Sequence, residues 1–569
     1  MFFTPCRITP VILAMFCASC GPTGPGTAGS GGSSIEPPVD LPPPMGDMAP
    51  INVTTTDRFA THGQCGQCHF GGPDTPLLHD AQGNDISPVY AWRSSMMAFA
   101  ARDPYYLAVV GQELVKHPND KDFIEATCTR CHAPAGSVEY ENSGNHLTLD
   151  ALANDDTPEA NLGRDGVTCT LCHQIADMNL GKTQSFTGGF TIGYERKIFG
   201  PHLTPKVDPM QLIVNYTPTS VSHITKSEVC ATCHTVVIPI MQNGQKQGDF
   251  LEQSPYLEWL NSTYAPGVPC GTCHLPTKDA NKVDYSSPLA KWPDGLPPRT
   301  PFGKHRFSGG NAYMLTMLAN NIGFTGSTVP ASELTEAAQA AKDHLAEGAA
   351  LSILSSTMEG DTLSATISVE NHTGHKLPTA YPGRRVWVHF RAEDAAGNAL
   401  FESGAVDGTG AIVDGKGKSI DSDAVFPHRD VIQSENEVQV YEAVAKNAAG
   451  KPTHTPLDSV GYAKDNRLLP VGWSSSDPWI DWIAPVGIGN DLSFGAGLDL
   501  VEYRVPQGAS VKRIVVRLLY QTVRPVELDI LEKVPHAAAV RFSQMTGKQP
   551  PTPTVMVEVS KDLRCDVRG

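Results

Sequence analysis

Between Cys65 and His274 the chain repeats one short pattern five times: two cysteines three positions apart, followed at once by a histidine. The copies read CGQCH (Cys65, Cys68, His69), CTRCH (Cys128, Cys131, His132), CTLCH (Cys169, Cys172, His173), CATCH (Cys230, Cys233, His234) and CGTCH (Cys270, Cys273, His274). This is the attachment pattern of c-type haem. The two thiols reach the porphyrin vinyl groups as thioethers, and the adjacent histidine lies under the iron as proximal ligand. A zinc site has no need of a histidine after every pair, and a redox dithiol needs one pair on a βαβ unit, not five. The sequence therefore predicts five covalently bound haem c groups. The spacing leaves each haem too little chain for a globule of its own, so the haems must pack against one another with short helices and loops between them.

Each iron has a sixth position to fill. Fourteen histidines remain of the 19 once the proximal five are set aside. Those in or near the haem region are His62, His79, His117, His146, His202, His223 and His305. His117, in VKHPND, and His305, in HRFSGGN, stand in the better contexts. Met97, beside Met96 in WRSSMMAFAARDP, offers a thioether, which would raise a haem's potential. Farther along, His375 in NHTGHKLPTAYPGRR could reach a haem, with Arg384 and Arg385 as partners for propionates.

The N-terminus reads as an export segment. Residues 1–20 carry one base, Arg7, an apolar run from Val11 to Phe16, and small residues up to Cys20. Ala18-Ser19-Cys20-Gly21 is similar to a bacterial lipoprotein box, which makes Cys20 the expected lipid anchor. Residues 21–56, rich in Gly, Pro and Ser, read as a tether. The expected location is therefore the outer membrane, as a lipoprotein facing the periplasm or the cell surface. Haem c attachment outside the cytoplasm agrees with export. A formal net charge of −17 argues against nucleic acid as a partner.

After the haem region (residues 57–330) the period changes. Ser332 to Glu347 places Leu334, Ala338, Ala341 and Leu345 on one helical face, with Gly348 as a stop, and residues 331–349 read as a connecting helix. Beyond it the alternation is two. Leu363, Ala365, Ile367 and Val369 alternate with Ser and Thr; Val386, Val388 and Phe390 alternate with Trp387, His389 and Arg391. Ile514, Val516, Leu518 and Tyr520, then Val555, Val557 and Val559, continue the pattern. Residues 350–569 are expected to form an antiparallel, Ig-like β-sandwich. The fold class is α+β and multidomain: a mostly α and irregular pentahaem domain followed by the sandwich.

Several segments together (WRSSMMAFAARDP, GVTCTLCHQI, ITKSEVCATCH, EQSPYLEWLNSTY, HRFSGGNAYML and GHKLPTAYPGRRVWVHF) resemble a family of bacterial multihaem cytochromes c. That family joins a haem domain of the hydroxylamine-oxidoreductase and tetrahaem-cytochrome class to a C-terminal β-sandwich. The resemblance implies haem electron transfer without naming a substrate. It also implies His117, His202, His305 and His375 as distal ligands. Met97 stands where related haem domains carry a distal histidine. No C-x-x-C-K occurs, so the lysine-ligated haem of ammonia-forming nitrite reductases has no counterpart.

The expected function is electron transfer along closely packed haems at the cell envelope, with protein redox partners. Self-association into a homo-oligomer or a longer haem chain is a further expectation. The alternative is an oxidoreductase acting on a small nitrogen or sulfur compound at one haem with an open coordination position.

Overall fold

The motif cysteines fall on short helices, as an i, i+3 spacing of two thiols on one face requires. Helices His62–His69, Lys121–His132 and Ser227–His234 each end on the motif histidine, and Cys169–Cys172 and Gly271–His274 are single turns. Helices this short are marginal alone and depend on what they pack against. Between them, Pro88, Pro104, Pro134, Pro158 and Pro255 open further helices at the first turn, where a missing N–H costs nothing. The structure is a computed structural model and describes residues 40–242, 245–421 and 425–563. The export segment, Cys20, most of the tether and Cys565 lie outside these residues. No helix among the described residues is long and apolar enough to cross a membrane.

The haem region also holds strands that periodicity did not reveal. Lys197–Gly200 pairs in parallel with Thr217–Ser220 around helix Val207–Val214, and Val236–Gln242 forms a hairpin with Gln245–Gln253. The helix Ala331–Glu347 follows, burying Leu334, Ala338, Ala341 and Leu345. Leu334 packs in a haem-region cluster and Leu345 in the sandwich core, so one helix joins the two.

From Ala349 two sheets share a core. One has the order Val431–Ile432, Leu498–Val505, Thr362–Asn371, Ala349–Glu359. The other runs Gly461–Asp465, Val440–Lys446, Arg385–Glu393, Arg513–Gln521, Thr554–Asp562, with Ala399–Ser403 also on Arg385–Glu393. Leu363, Ala365, Ile367 and Val369 of one face Val386, Val388, Phe390, Ile514, Val516 and Leu518 of the other, and the rings of Phe390 and Tyr503 stack at 4.0 Å. The fold is thus mixed α+β.

Three details depart from the alternating pattern. The pairing is not purely antiparallel, because Val431–Ile432 runs parallel to Leu498–Val505. Trp387 is buried although it lies on the outer face, because a long excursion covers it. Its indole N–H donates to Gly404 O at 2.9 Å, among Ile412, Val438 and Val440. Val555 is exposed and Met556 takes its place in the core, because the pairing slips between Leu518 and Leu519.

The sandwich half also contributes helices to the haem half. Pro525–Leu531 and Ala537–Lys548 pack on Pro104–Lys116, with Gly111 so close to His536 that a side chain there would collide. Part of the stretch read as a tether docks on the same surface. Met45 N donates to Ala537 O and Met48 N to Phe324 O, while Met48 is buried. Leu41–Gly569 form one compact unit.

Candidate haem-binding sites

The first test of the motifs is whether their histidines present the nitrogen that binds iron. Four do so in the same way. Nδ1 of His69 lies 2.8 Å from Leu289 O, that of His132 3.0 Å from Ala100 O, that of His173 2.7 Å from Phe199 O, and that of His274 2.7 Å from Ser308 O. A ring that donates from Nδ1 to a carbonyl keeps its Nε2 lone pair free, which is the tautomer a proximal ligand needs. Burial pushes the imidazole of His132 down to about 4, so it is neutral at pH 7. The residues present fit covalent haem.

Two proximal rings face a second imidazole. The His173 and His305 centroids are 6.2 Å apart with planes at 25°, and those of His274 and His375 are 6.5 Å apart at 16°. An iron between two imidazoles, at about 2 Å from each nitrogen with roughly 1 Å more to each ring centre, requires about 6 Å. Both opposing rings are locked in the same tautomer, His305 Nδ1 on Gly303 O at 3.0 Å and His375 Nδ1 on Lys376 O at 2.8 Å. His344, on the connecting helix, also approaches His274, at 5.2 Å, too close for an iron to sit between them. Sequence reasoning missed His344 because an exposed-looking helical histidine carries no ligand signal.

The other proposed ligands are placed differently. His117 Nε2 turns toward Asp458 Oδ1 at 3.3 Å and Glu113 Oε2 at 3.7 Å. His202 stands beside Arg299, and burial with that positive charge lowers its pKa. Met97 O accepts the Val167 N–H at 3.0 Å. None of the described ring contacts sets His117 or His202 against a proximal histidine. His62 has a buried partner that no spacing could reveal, with Nδ1 2.5 Å from Asp165 Oδ1 and the ring on Trp92. His223 is tied to Ile175 O through Nε2. Around His132 the neighbour is aromatic: the Tyr106 ring stacks on it at 3.7 Å, and the Tyr106 hydroxyl is buried without a hydrogen-bond partner.

The loop carrying His375 is held by buried charge. Glu258, fully buried, accepts from Lys376 N (3.1 Å) and Thr379 Oγ1 (2.5 Å) and pairs with Arg467 (3.0 Å). Asp465 in turn binds Lys376 Nζ at 2.6 Å and Arg467 Nε at 2.7 Å. Arg384 donates to Thr379 O and Asn311 Oδ1 on the haem side. Arg385 does not face a haem, contrary to the sequence expectation: it is buried in the sandwich in a two-point pair with Asp421.

Motifs distant in the sequence lie side by side: the first against the third, the second against the fourth and the fourth against the fifth. Ala60 N bonds Thr170 Oγ1, Arg130 Nε donates to Gly188 O while Gly188 N donates to Thr232 O, and Cys270 N bonds Ser227 Oγ. Leu171 packs in one cluster with Val229 and Cys233, bringing the third motif to the fourth.

The overall fold is shared with a solved protein. The chain is similar to a penta-haem cytochrome c552 from Thermochromatium tepidum, with a TM-score of 0.51 and 15% identity, over 89% of this chain and 99% of that one. No family model matches the chain, and no curated protein does.

Proposed function

We propose that this chain is an exported pentahaem c-type cytochrome that transfers electrons along closely packed haems at the cell envelope. The observation that carries the reading is the joint geometry of the motifs: proximal histidines fixed in the iron-binding tautomer, two of them facing a second imidazole at the span an iron requires. When bound, haem c supplies one-electron chemistry. The chain's own residues anchor it through ten thiols, orient the axial imidazoles through backbone carbonyls, and hold the His375 loop through Glu258 and Asp465. The fold shared with a penta-haem cytochrome supports this reading. The sandwich, which we read as Ig-like, docks a redox partner or shields the path, and the acidic balance favours partners with basic patches. Lipid at Cys20 would tie the chain to the outer membrane. The test is a pyridine haemochrome assay with optical spectra on the exported chain. Five haems per chain, all six-coordinate and low-spin, support the reading; fewer covalent haems sink it.

One observation favours a second reading. His69, His132 and His234 have no facing imidazole among the described ring contacts, and the ring on His132 is that of Tyr106, whose hydroxyl is buried without a hydrogen-bond partner. An open iron there would suit reaction with a small nitrogen or sulfur compound, and a high-spin haem that binds CO would point to it.

A further inference from the structure

Residues 303–310 serve two attachment sites at once. His305 sets its ring opposite His173, at 6.2 Å and 25°. Three residues later the Ser308 carbonyl accepts from His274 Nδ1 at 2.7 Å. The proximal ring of the fifth motif is thus oriented by the loop that supplies the ring facing the third. Three residues of chain span at most about 11 Å. That leaves little slack between the two groups, so a displacement of one is passed to the other.

The loop is held at its start, middle and end. Lys304 N donates to Pro276 O at 3.0 Å, two residues beyond His274. Phe307 then takes a left-handed backbone conformation, with φ at +49°, which a bulky side chain rarely adopts. Packing keeps it there: its ring stands edge-on to His305 at 5.9 Å and 84°, and it lies against the cluster of Trp92, Phe99 and Leu315. At the far end Gly310 is pressed on the sandwich. Thr522 Oγ1 donates to Gly310 O at 3.0 Å, and a Cβ on Gly310 would run into the Tyr520 phenol. Tyr520 is buried in the sandwich core, so a larger residue at 310 would displace the loop rather than the ring.

We propose that Phe307, Ser308 and Gly310 are positioning residues through which one loop, pinned to the sandwich, sets axial imidazoles of two irons: the distal ring of the third and the proximal ring of the fifth. This rests on the covalent-haem reading above. A carbonyl that accepts from Nδ1 fixes the plane of an axial imidazole and raises its basicity. Moving Ser308 therefore alters the fifth site without removing a ligand from it. The coupling has a direction. His375, which faces His274, sits on a different loop, held by Glu258 and Asp465, so its loss leaves the His305 ring in place.

The test is electron paramagnetic resonance of the ferric, exported holoprotein, whose low-spin g values report how axial imidazoles are oriented. The signal lost in His305→Ala identifies the third haem, and the signal lost in His375→Ala the fifth. In His305→Ala the fifth signal should also move, although both of its ligands are intact. In His375→Ala the third signal should stay where it was. Magnetic contact between neighbouring haems would act in both directions, so a shift in both variants, or in neither, overturns the proposal. Gly310→Ala should move the third and fifth signals and leave the other three. Gly310→Ala/Tyr520→Leu, which removes the phenol atoms that the new Cβ would meet, should restore both. Movement of all five signals, or of one alone, overturns the shared loop. If Gly310→Ala does not fold, the two histidine variants still decide. A His305→Ala chain with no high-spin haem would refute the underlying ligand reading, whereas one high-spin haem beside an unmoved fifth signal refutes the coupling alone.

Discussion

Substituting Glu258 by Gln keeps the shape of the group that pins the His375 loop and removes its charge. The amide oxygen can still accept from Lys376 N–H and Thr379 Oγ1, at 3.1 and 2.5 Å in the parent. What is lost is the buried pair with Arg467 at 3.0 Å. Breaking one side of a buried ion pair costs about 3–5 kcal/mol. Arg467 retains Asp465 at 2.7 and 2.8 Å, so the low end, about 3 kcal/mol, applies. At about 1.4 kcal/mol per factor of ten, local opening of the loop becomes roughly a hundredfold more frequent. Hydrogen exchange at the Lys376 amide reads that opening directly and should accelerate by the same factor. In a thermal melt followed by ferric optical spectra, one haem in five should leave the low-spin state before the others. An unchanged Lys376 exchange rate together with simultaneous loss of all five low-spin signals would refute the claim that Glu258 holds the ligand loop.

Other outcomes follow from the same geometry. His305→Ala and His375→Ala should each convert one haem of five to a high-spin, CO-binding form, read by CO-difference spectra, and the double variant should convert two. Asp499 is buried beneath Tyr441 and Gln439, and burial raises its carboxyl to about 6. A raised acid contributes its stability below the unfolded value near 4 and loses it as pH rises through 6, a difference of about 3 kcal/mol at pH 7. Asp499→Asn should therefore raise Tm at pH 8 and leave it unchanged at pH 4. Phe390→Ala removes a core ring stacked on Tyr503 and should cost about 3–5 kcal/mol in denaturant titrations.

How much of this was legible in the sequence depends on the range of the interactions. The motifs were legible because both thiols and the proximal histidine are fixed within five residues by local geometry. The connecting helix and the inward rows Leu363 to Val369 and Ile514 to Tyr520 were legible because periods of 3.6 and 2 are also local. The burial of Trp387, which lies on the outer face as the alternation indicates, was not legible because its cover comes from a loop remote in sequence. Arg385 was misread for the same reason, since Asp421 claims it from another loop. His305 and His375 were legible as candidates through their contexts, but that their rings lie opposite His173 and His274 is visible only in the fold. The strands at Lys197–Gly200 and Thr217–Ser220 escaped notice because four residues are too short to show a period. The packing of one motif against another, as of Ala60 on Thr170, has no trace in the spacing at all.

The most direct measurement of the central claim is the intact mass of the denatured, exported chain, followed by mapping of the haem-bearing peptides. The expected result is five covalent haem additions, one on each of the peptides containing Cys65, Cys128, Cys169, Cys230 and Cys270. A chain carrying zinc, or with any of these cysteine pairs free of haem, would contradict it.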